Sequence, residues 1–331
     1  MLQSLRKPFP WRGKGWDGVE TRRLTGCKVT PSKARRVETS LSKPRLHPIP
    51  GPSPSRGREF AAGFFALVMM ATPAWAQERP WSPLPSPQSQ SCPNGLCKSE
   101  TLTPLFRALD GRWGTAVRIV QFGDSHTAGL MITGALESRL KARFPARDIR
   151  IEPIGVVGVT LSDLAAHPLP VLDAPVDLLV LEYGVNEGFD DELDLGAYER
   201  LLRGEIARLR SEAPNAALLI LGAPDAMRGE GGGTCPGDLD GRWRSPPMLA
   251  VVRDIQQRVA SSMDVAYWDW RGRMGGDCSA FRLTLPGPGG DEPMMRDDHV
   301  HFTQAGADWI ASLLDADLMT AGRQWYRRGG D

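Results

Sequence analysis

The 331-residue sequence predicts an α/β fold, a three-layer α/β/α sandwich around a central parallel sheet of about five strands. Three observations predict it. Short apolar or β-branched runs alternate with stretches of helical periodicity from residue 117 onward, as in a parallel sheet with helices on both faces. One of those runs, DLLVLEY over Asp177 to Tyr183, is almost continuously apolar, as a strand covered on both faces must be. Several runs also end in glycine or a polar cluster, at the edge where such sheets place their sites.

The first strand is Val117 to Phe122, cut by Gly123, which frees the backbone to turn sharply. Beyond it Ile132, Leu136, Leu140 and Phe144 recur every four residues, one apolar face of an amphipathic helix. Ser125 is expected near that helix's N-terminus, where free N–H groups and the helix dipole favour developing negative charge. Capping of the helix by Asp124 or Ser125 would serve the local sequence equally well.

Ile149 to Ile154 forms a second strand, followed by Gly155 and Gly158, and the third runs into Gly184-Val185-Asn186-Glu187. A helix from about Leu195 to Glu212 stops at Pro214. Ala217 to Leu221 and Val265 to Trp268 supply two more strands, with a helix over Leu249, Val252, Ile255 and Val259 between them. The Gly-rich stretch 229–238 reads as a slack surface connection rather than a loop that moves over a site, and a last helix carries Ile310, Leu313, Leu314 and Leu318.

Charge divides the chain. Residues 1–58 hold 14 Lys/Arg against three Asp/Glu, whereas the residues from Gln77 onward carry an acidic excess, so nucleic acid is not an expected partner. Residues 59–76 contain the apolar run AAGFFALVMMAT and then Ala74-Trp75-Ala76, too short to span a bilayer but matched to a signal-peptide core with its cleavage site. Export to a periplasmic or extracellular location follows, with no stable membrane span after cleavage. The basic leader 1–58 is read as a disordered extension or an over-extended start, and the Pro/Ser/Gln-rich stretch 77–100 as an extended segment before a domain at 101–331. Cleavage removes Cys27. The four remaining cysteines in an exported protein point to disulfides, Cys92 with Cys97 and Cys235 with Cys278.

Four blocks lie at equivalent strand ends: GDSH around Ser125, Gly158 after the second strand, GVNE around Asn186, and DHVH with Asp298 and His301. Together they resemble the blocks of the SGNH (GDSL-type) hydrolase superfamily, whose sheet is flavodoxin-like, over about residues 115–320. Within it, QFGDSHTAG, EYGVNE and DHVHFT look most like bacterial peptidoglycan O-acetylesterases and related exported carbohydrate esterases. The resemblance implies a serine esterase with Ser125 as nucleophile, His301 as general base and Asp298 orienting the imidazole. The Ser125 and Gly158 N–H groups and the Asn186 side chain would form the oxyanion hole. No cofactor or metal is implied, and the expected partner is an O-acetylated polysaccharide or other small ester.

GDSH departs from GDSL by placing His126 beside the nucleophile, where a neighbour in a helical turn is expected to project away. Asp297, Asp298, His299 and His301 could instead ligate a divalent cation, but no further cluster completes that set. A lipid or thioester acyl hydrolase and an acetyltransferase use the same triad. A non-catalytic envelope binding protein would be expected to lack the nucleophile or base. Trp268, Trp270 and Tyr267 are read as core or rim packing rather than a sugar platform.

The export signal sets a measurable expectation: mass spectrometry of protein recovered from the cell envelope finds Gln77 at the N-terminus. A chain retaining Met1 in the cytoplasm would overturn it.

Overall fold

The computed structural model describes Cys92 and residues 95–330, apart from 112, 113, 115, 288 and 289. The expected signal segment and cleavage site lie outside the described residues. Six strands form one sheet in the order β1-β6-β5-β4-β2-β3. They are β1 (Leu96–Cys97), β2 (Ala116–Gly123), β3 (Asp148–Gly155), β4 (Leu178–Glu182), β5 (Ala217–Leu221) and β6 (Ala266–Trp268). The five longer strands are parallel; β1, in the stretch read as extended, adds an antiparallel edge through Leu96 opposite Trp268.

Side chains of period two divide the core. Val117, Ile119, Leu178, Val180, Leu219 and Trp268 face one layer of helices, α1 (Thr103–Asp110), α3 (Met131–Arg143) and α10 (Gln304–Arg327). Val120, Phe122, Leu179, Leu181, Leu218 and Ile220 face the other, α4 (Leu161–Ala165), α6 (Leu195–Glu212) and α7 (Pro247–Ser262). Every residue of β4 and β5 is buried, which is why those runs are apolar throughout rather than alternating.

From β2 the chain first winds to β3 on one side, then crosses back to β4 on the other. The β2/β4 junction is therefore the topological switch point, where the loops leaving adjacent strands diverge and open a crevice at their carboxyl ends. Three short helices sit along that edge: α2 (Ser125–Ala128) after β2, α5 (Val185–Gly188) after β4 and α8 (Trp270–Met274) after β6, with α9 (Ser279–Arg282) beyond.

One local expectation is corrected. Ser125 does not begin the long amphipathic helix; it begins the single turn α2, and Leu130 at φ 62° separates that turn from α3. The macrodipole of α3 thus does not end at the serine.

Both expected disulfides are present, Cys92–Cys97 and Cys235–Cys278. The second joins positions 43 apart and pins the Gly-rich stretch to α9, so that stretch is not slack. Its closure removes loop entropy from the unfolded chain worth on the order of 4 kcal/mol. The Cys235→Ser/Cys278→Ser double variant is expected to lose about 2–4 kcal/mol of unfolding free energy in urea. An unchanged midpoint, or free thiols at both positions in the native protein, would contradict this.

Candidate active site

β2 ends at Gly123, and the turn that follows is packed against its neighbours without room for a side chain. A Cβ on Gly123 would meet Thr127 Oγ1 at 2.2 Å and the Glu182 carbonyl at 2.8 Å. One on Gly155 would meet Ala128 N at 2.2 Å. These glycines let α2 rest directly on the ends of β2 and β3. Asp124 then caps the turn, its Oδ1 accepting the His126 N–H at 3.0 Å, and Ser125 is left at the crevice.

The loop expected to carry the base, here the base loop, is a tight hairpin. Met295 and Phe302 bridge its foot, Arg296 N donates to the His301 carbonyl at 2.8 Å, and His299 turns the chain at φ 56°. Asp298 Oδ1 accepts the Val300 and His301 N–H groups at 2.9 and 2.8 Å, while its Oδ2 lies 2.8 Å from His301 Nδ1. His301 Nε2 lies 2.9 Å from Ser125 Oγ. Burial works to raise the Asp298 pKa, but the His301 ring and these two backbone donors outweigh it and hold the carboxyl below its usual range. The structure thus brings Ser125, His301 and Asp298 into one hydrogen-bonded line across 176 residues of sequence. A carboxylate on Nδ1 and a hydroxyl on Nε2 is the arrangement that lets an imidazole take a proton from the hydroxyl.

Gly158 lies exposed in the loop leaving β3, whose first residue returns to the turn through Val156 N and the Gly123 carbonyl at 3.2 Å. Asn186 stands on α5 with Nδ2 donating to the Val159 carbonyl at 2.7 Å. Among the described residues Nδ2 makes one further hydrogen bond, a long one of 3.4 Å to Asp124 Oδ2, so one amide hydrogen is committed and the second is weakly held. Glu187 fastens the same two loops: Oε1 accepts Leu161 N at 2.7 Å.

His126 is corrected. Its side chain does not project away but turns into the core, 2% exposed, with its ring centroid 5.4 Å from that of His301. Burial opposes its charge, yet the Asp124 hydrogen bond and the charges of Asp124 and Glu182 raise its pKa to about 9. Asp124 is lowered because His126 outweighs its burial, whereas burial and the Asp124 charge push Glu182 well up.

His299 goes elsewhere. Its ring sits between Trp243, 3.7 Å between centroids, and Phe281, 5.7 Å and near parallel. Burial lowers its pKa, outweighing the Ala280 backbone and the charges of Asp298 and Asp297. Asp297, Asp298, His299 and His301 are therefore not gathered into a ligand set. Among the described residues, three metal-capable side chains converge instead at Asp124, His126 and Glu182, already joined by hydrogen bonds. Trp268, Trp270 and Tyr267 are buried and offer no ring to a sugar.

Sequence reasoning passed over Glu182 and Thr127. Glu182 Oε2 accepts from Asp124 N and Thr127 N, both at 3.2 Å, and from Thr127 Oγ1 at 2.9 Å. The signal was available: a carboxylate ending a fully buried strand needs donors.

A flavodoxin-like sheet with a serine, an imidazole and a carboxylate aligned at its switch point defines the class, a serine hydrolase acting on carboxylic esters. The GDSL-like lipase/acylhydrolase family model matches residues 122–309, and the chain belongs to that family. Among solved structures, a peptidoglycan O-acetylesterase superposes with a TM-score of 0.59 at 19% identity, over 68% of this chain and 96% of that one. An acetylxylan esterase from Geobacillus stearothermophilus gives 0.43 at 17% identity, over 61% and 94%. A two-domain esterase active on acetylated mannans gives 0.47 at 17%, over 69% and 56%. At these identities the likeness is one of fold. No curated protein matches the chain by sequence.

The glycine contacts generate a paired test. Gly155→Ala forces a methyl into backbone and is expected to cost about 100-fold or more in kcat/KM. Gly134→Ala, on the open face of α3, is expected to leave activity unchanged and to stabilise by about 0.5–1 kcal/mol. Equal effects of the two in ester assays and thermal melts would mean that the α2 contact does not matter.

Proposed function

We propose that this protein is an exported esterase that removes short acyl groups, acetyl above all, from an envelope polysaccharide such as peptidoglycan. The observation that carries the reading is the Ser125–His301–Asp298 line lying open: the His301 and Asp298 side chains are 34% and 46% exposed. An ester borne on a polymer has to reach the serine with its chain still attached, which an open crevice permits and a closed tunnel does not. The peptidoglycan O-acetylesterase fold and the GDSH, GVNE and DHVH blocks agree with this choice.

In this reading Ser125 Oγ attacks the ester carbonyl as His301 Nε2 takes its proton. Asp298 accepts a hydrogen bond from Nδ1–H and stabilises the imidazolium that forms. Negative charge on the carbonyl oxygen is met by the Ser125 and Gly158 N–H groups and by the loosely held second hydrogen of the Asn186 amide. One such donor is worth about 3 kcal/mol of barrier. Collapse transfers the proton from His301 to the departing sugar oxygen and leaves acyl-Ser125. Water, deprotonated by His301, then releases the carboxylate and restores the hydroxyl. A sugar hydroxyl replacing that water would make the same site a transferase.

One feature favours the lipid or thioester reading: Leu130 after the serine turn and Val157 before Gly158 are apolar yet 56% and 65% exposed. Chain-length preference separates the two. Each buried CH₂ of a longer acyl chain is worth about 0.8 kcal/mol if these residues form a groove.

On p-nitrophenyl esters, kcat/KM is expected to fall from acetate to butyrate and to be negligible at octanoate, with acetate released from O-acetylated peptidoglycan. Ser125→Ala and His301→Ala should lose about 10³-fold or more in kcat while remaining folded, and Asp298→Asn should cost heavily too. A series rising toward palmitate would establish the lipid reading. Retained activity in Ser125→Ala would remove the site assignment itself.

A further inference from the structure

We infer that His126 is a doubly protonated imidazolium that ties the nucleophile turn to the base loop, and so acts as a positioning residue for the Ser125–His301 pair. The inference rests on the reading of that pair as the reacting groups, but the state of the His126 ring can be measured without it.

The hydrogen bonds fix where the protons belong. His126 Nε2 lies 3.0 Å from the Val300 carbonyl, and a carbonyl can only accept, so Nε2 carries hydrogen. Nδ1 faces two carboxylates, Asp124 Oδ1 at 3.1 Å and Glu182 Oε1 at 3.7 Å. A bare nitrogen aimed at Asp124, whose carboxyl is held below its usual range, would oppose lone pair to negative charge, whereas an Nδ1 hydrogen completes an ion pair with it. The contacts are shielded from bulk solvent: the His126, Asp124 and Glu182 side chains are 1–2% exposed. The edge of Trp270 and the rings of Phe302 and His301 close the remaining sides, at centroid distances of 5.4, 5.9 and 5.4 Å. The titratable groups that face the ring are therefore Asp124, Glu182 and His301.

What the tie joins gives it a role. Asp124 immediately precedes Ser125, and Val300 immediately precedes His301. The ring thus spans two loops 174 residues apart in sequence and attaches to each one residue before its reacting group. The base loop is otherwise anchored on its far side, by Met227 N on the His299 carbonyl at 3.1 Å and by the His299 stack. Of the hydrogen bonds around this loop, two cross to the nucleophile turn: the reacting one at 2.9 Å and the His126 tie. Without the tie the reacting contact would have to hold the loops together as well as move a proton. Displacement by about 1 Å at such a contact costs on the order of 100-fold in rate.

Two measurements decide the matter. In long-range ¹H–¹⁵N spectra of the full chain labelled at histidine, with the His126 signal assigned by its loss in His126→Gln, both ring nitrogens are expected to carry hydrogen at pH 7.5. A ring with one bare nitrogen at that pH would overturn the inference, whatever the variants do. In kinetics on p-nitrophenyl acetate, His126→Gln is expected to lower kcat about 100-fold with KM changed less than about twofold, because both Gln amide hydrogens sit on one uncharged nitrogen and cannot span Asp124 and the Val300 carbonyl as the two ring nitrogens do. Wild-type kcat in that variant would also overturn it.

Stability supplies a third readout. A folded ring that holds its proton to about 9 contributes fully below the unfolded value of about 6.5, and the contribution is lost as pH rises through 9. The stability gap between wild type and His126→Gln should close across that window, and a gap constant with pH would count against the charged ring. If Ser125→Ala kept full activity, the site assignment would fail while the ring's protonation would stand on its spectrum.

Discussion

A buried carboxylate holds the serine turn, and it comes from a neighbouring strand. Glu182 closes β4, where both faces of the sheet are covered, so its oxygens can be satisfied only at the strand end. There the turn after β2 offers two backbone N–H groups and the Thr127 hydroxyl, itself bonded by Gln121 Nε2 at 2.7 Å. Leaving such a carboxylate unpaired would cost several kcal/mol, so the turn and the strand end are formed together or not at all. The glycines at 123 and 155 follow from this closeness, since a methyl at either would displace the donors. The orientation of Ser125 is thereby set by the sheet's packing rather than by a long helix behind it.

The strands were legible because burial on both faces writes itself into composition. β5 coincides with the apolar run Ala217–Leu221, and β2 to β4 differ from their runs by one residue at each end. β1 escaped because two residues have no period, and their pairing with β6 depends on tertiary contact. The false continuation of α3 back to Ser125 has a similar cause. Leu130 looks helical in sequence, and only its backbone angle, imposed by α2 lying flat on two strand ends, breaks the helix. At the site, DHVH put a carboxylate three residues before a histidine, near enough for one loop to carry both. Which of the two histidines met Asp298 could not be read from spacing; the positive φ of His299 sends its ring to the opposite side. Nor could the inward turn of His126 be read, because that depends on how four residues are seated.

The region around the Cys235–Cys278 bridge has a part in this that composition concealed. Trp243, five residues beyond the glycine-rich stretch, and Phe281 from α9 enclose the His299 ring, and the disulfide ties that stretch to the start of α9. Asp225 adds a second fastening, accepting Ala280 N at 3.0 Å and Ser279 Oγ at 3.2 Å, with burial pushing its carboxyl up. The far side of the base loop is thus built from segments with little helical or strand signal, held by a covalent bond and an aromatic stack.

Among the described residues, support for Ser125 and His301 therefore comes from beneath and from the far side, and not from a cover. Asp124, His126, Glu182, Thr127 and Glu187 are all buried, while Ser125, His301 and Gly158 reach solvent. In the reading proposed above, such a division suits chemistry on a large substrate. Electrostatic preorganisation needs donors and charges that do not move when the reaction occurs. A lid would supply that rigidity at the expense of access for a polymer. A polar network under the site supplies it from the core, where low dielectric strengthens each hydrogen bond and makes each unmade one costly. The open crevice and the charged groups packed below it are two consequences of one arrangement, in which the core rather than a closing loop fixes the distance between serine and histidine.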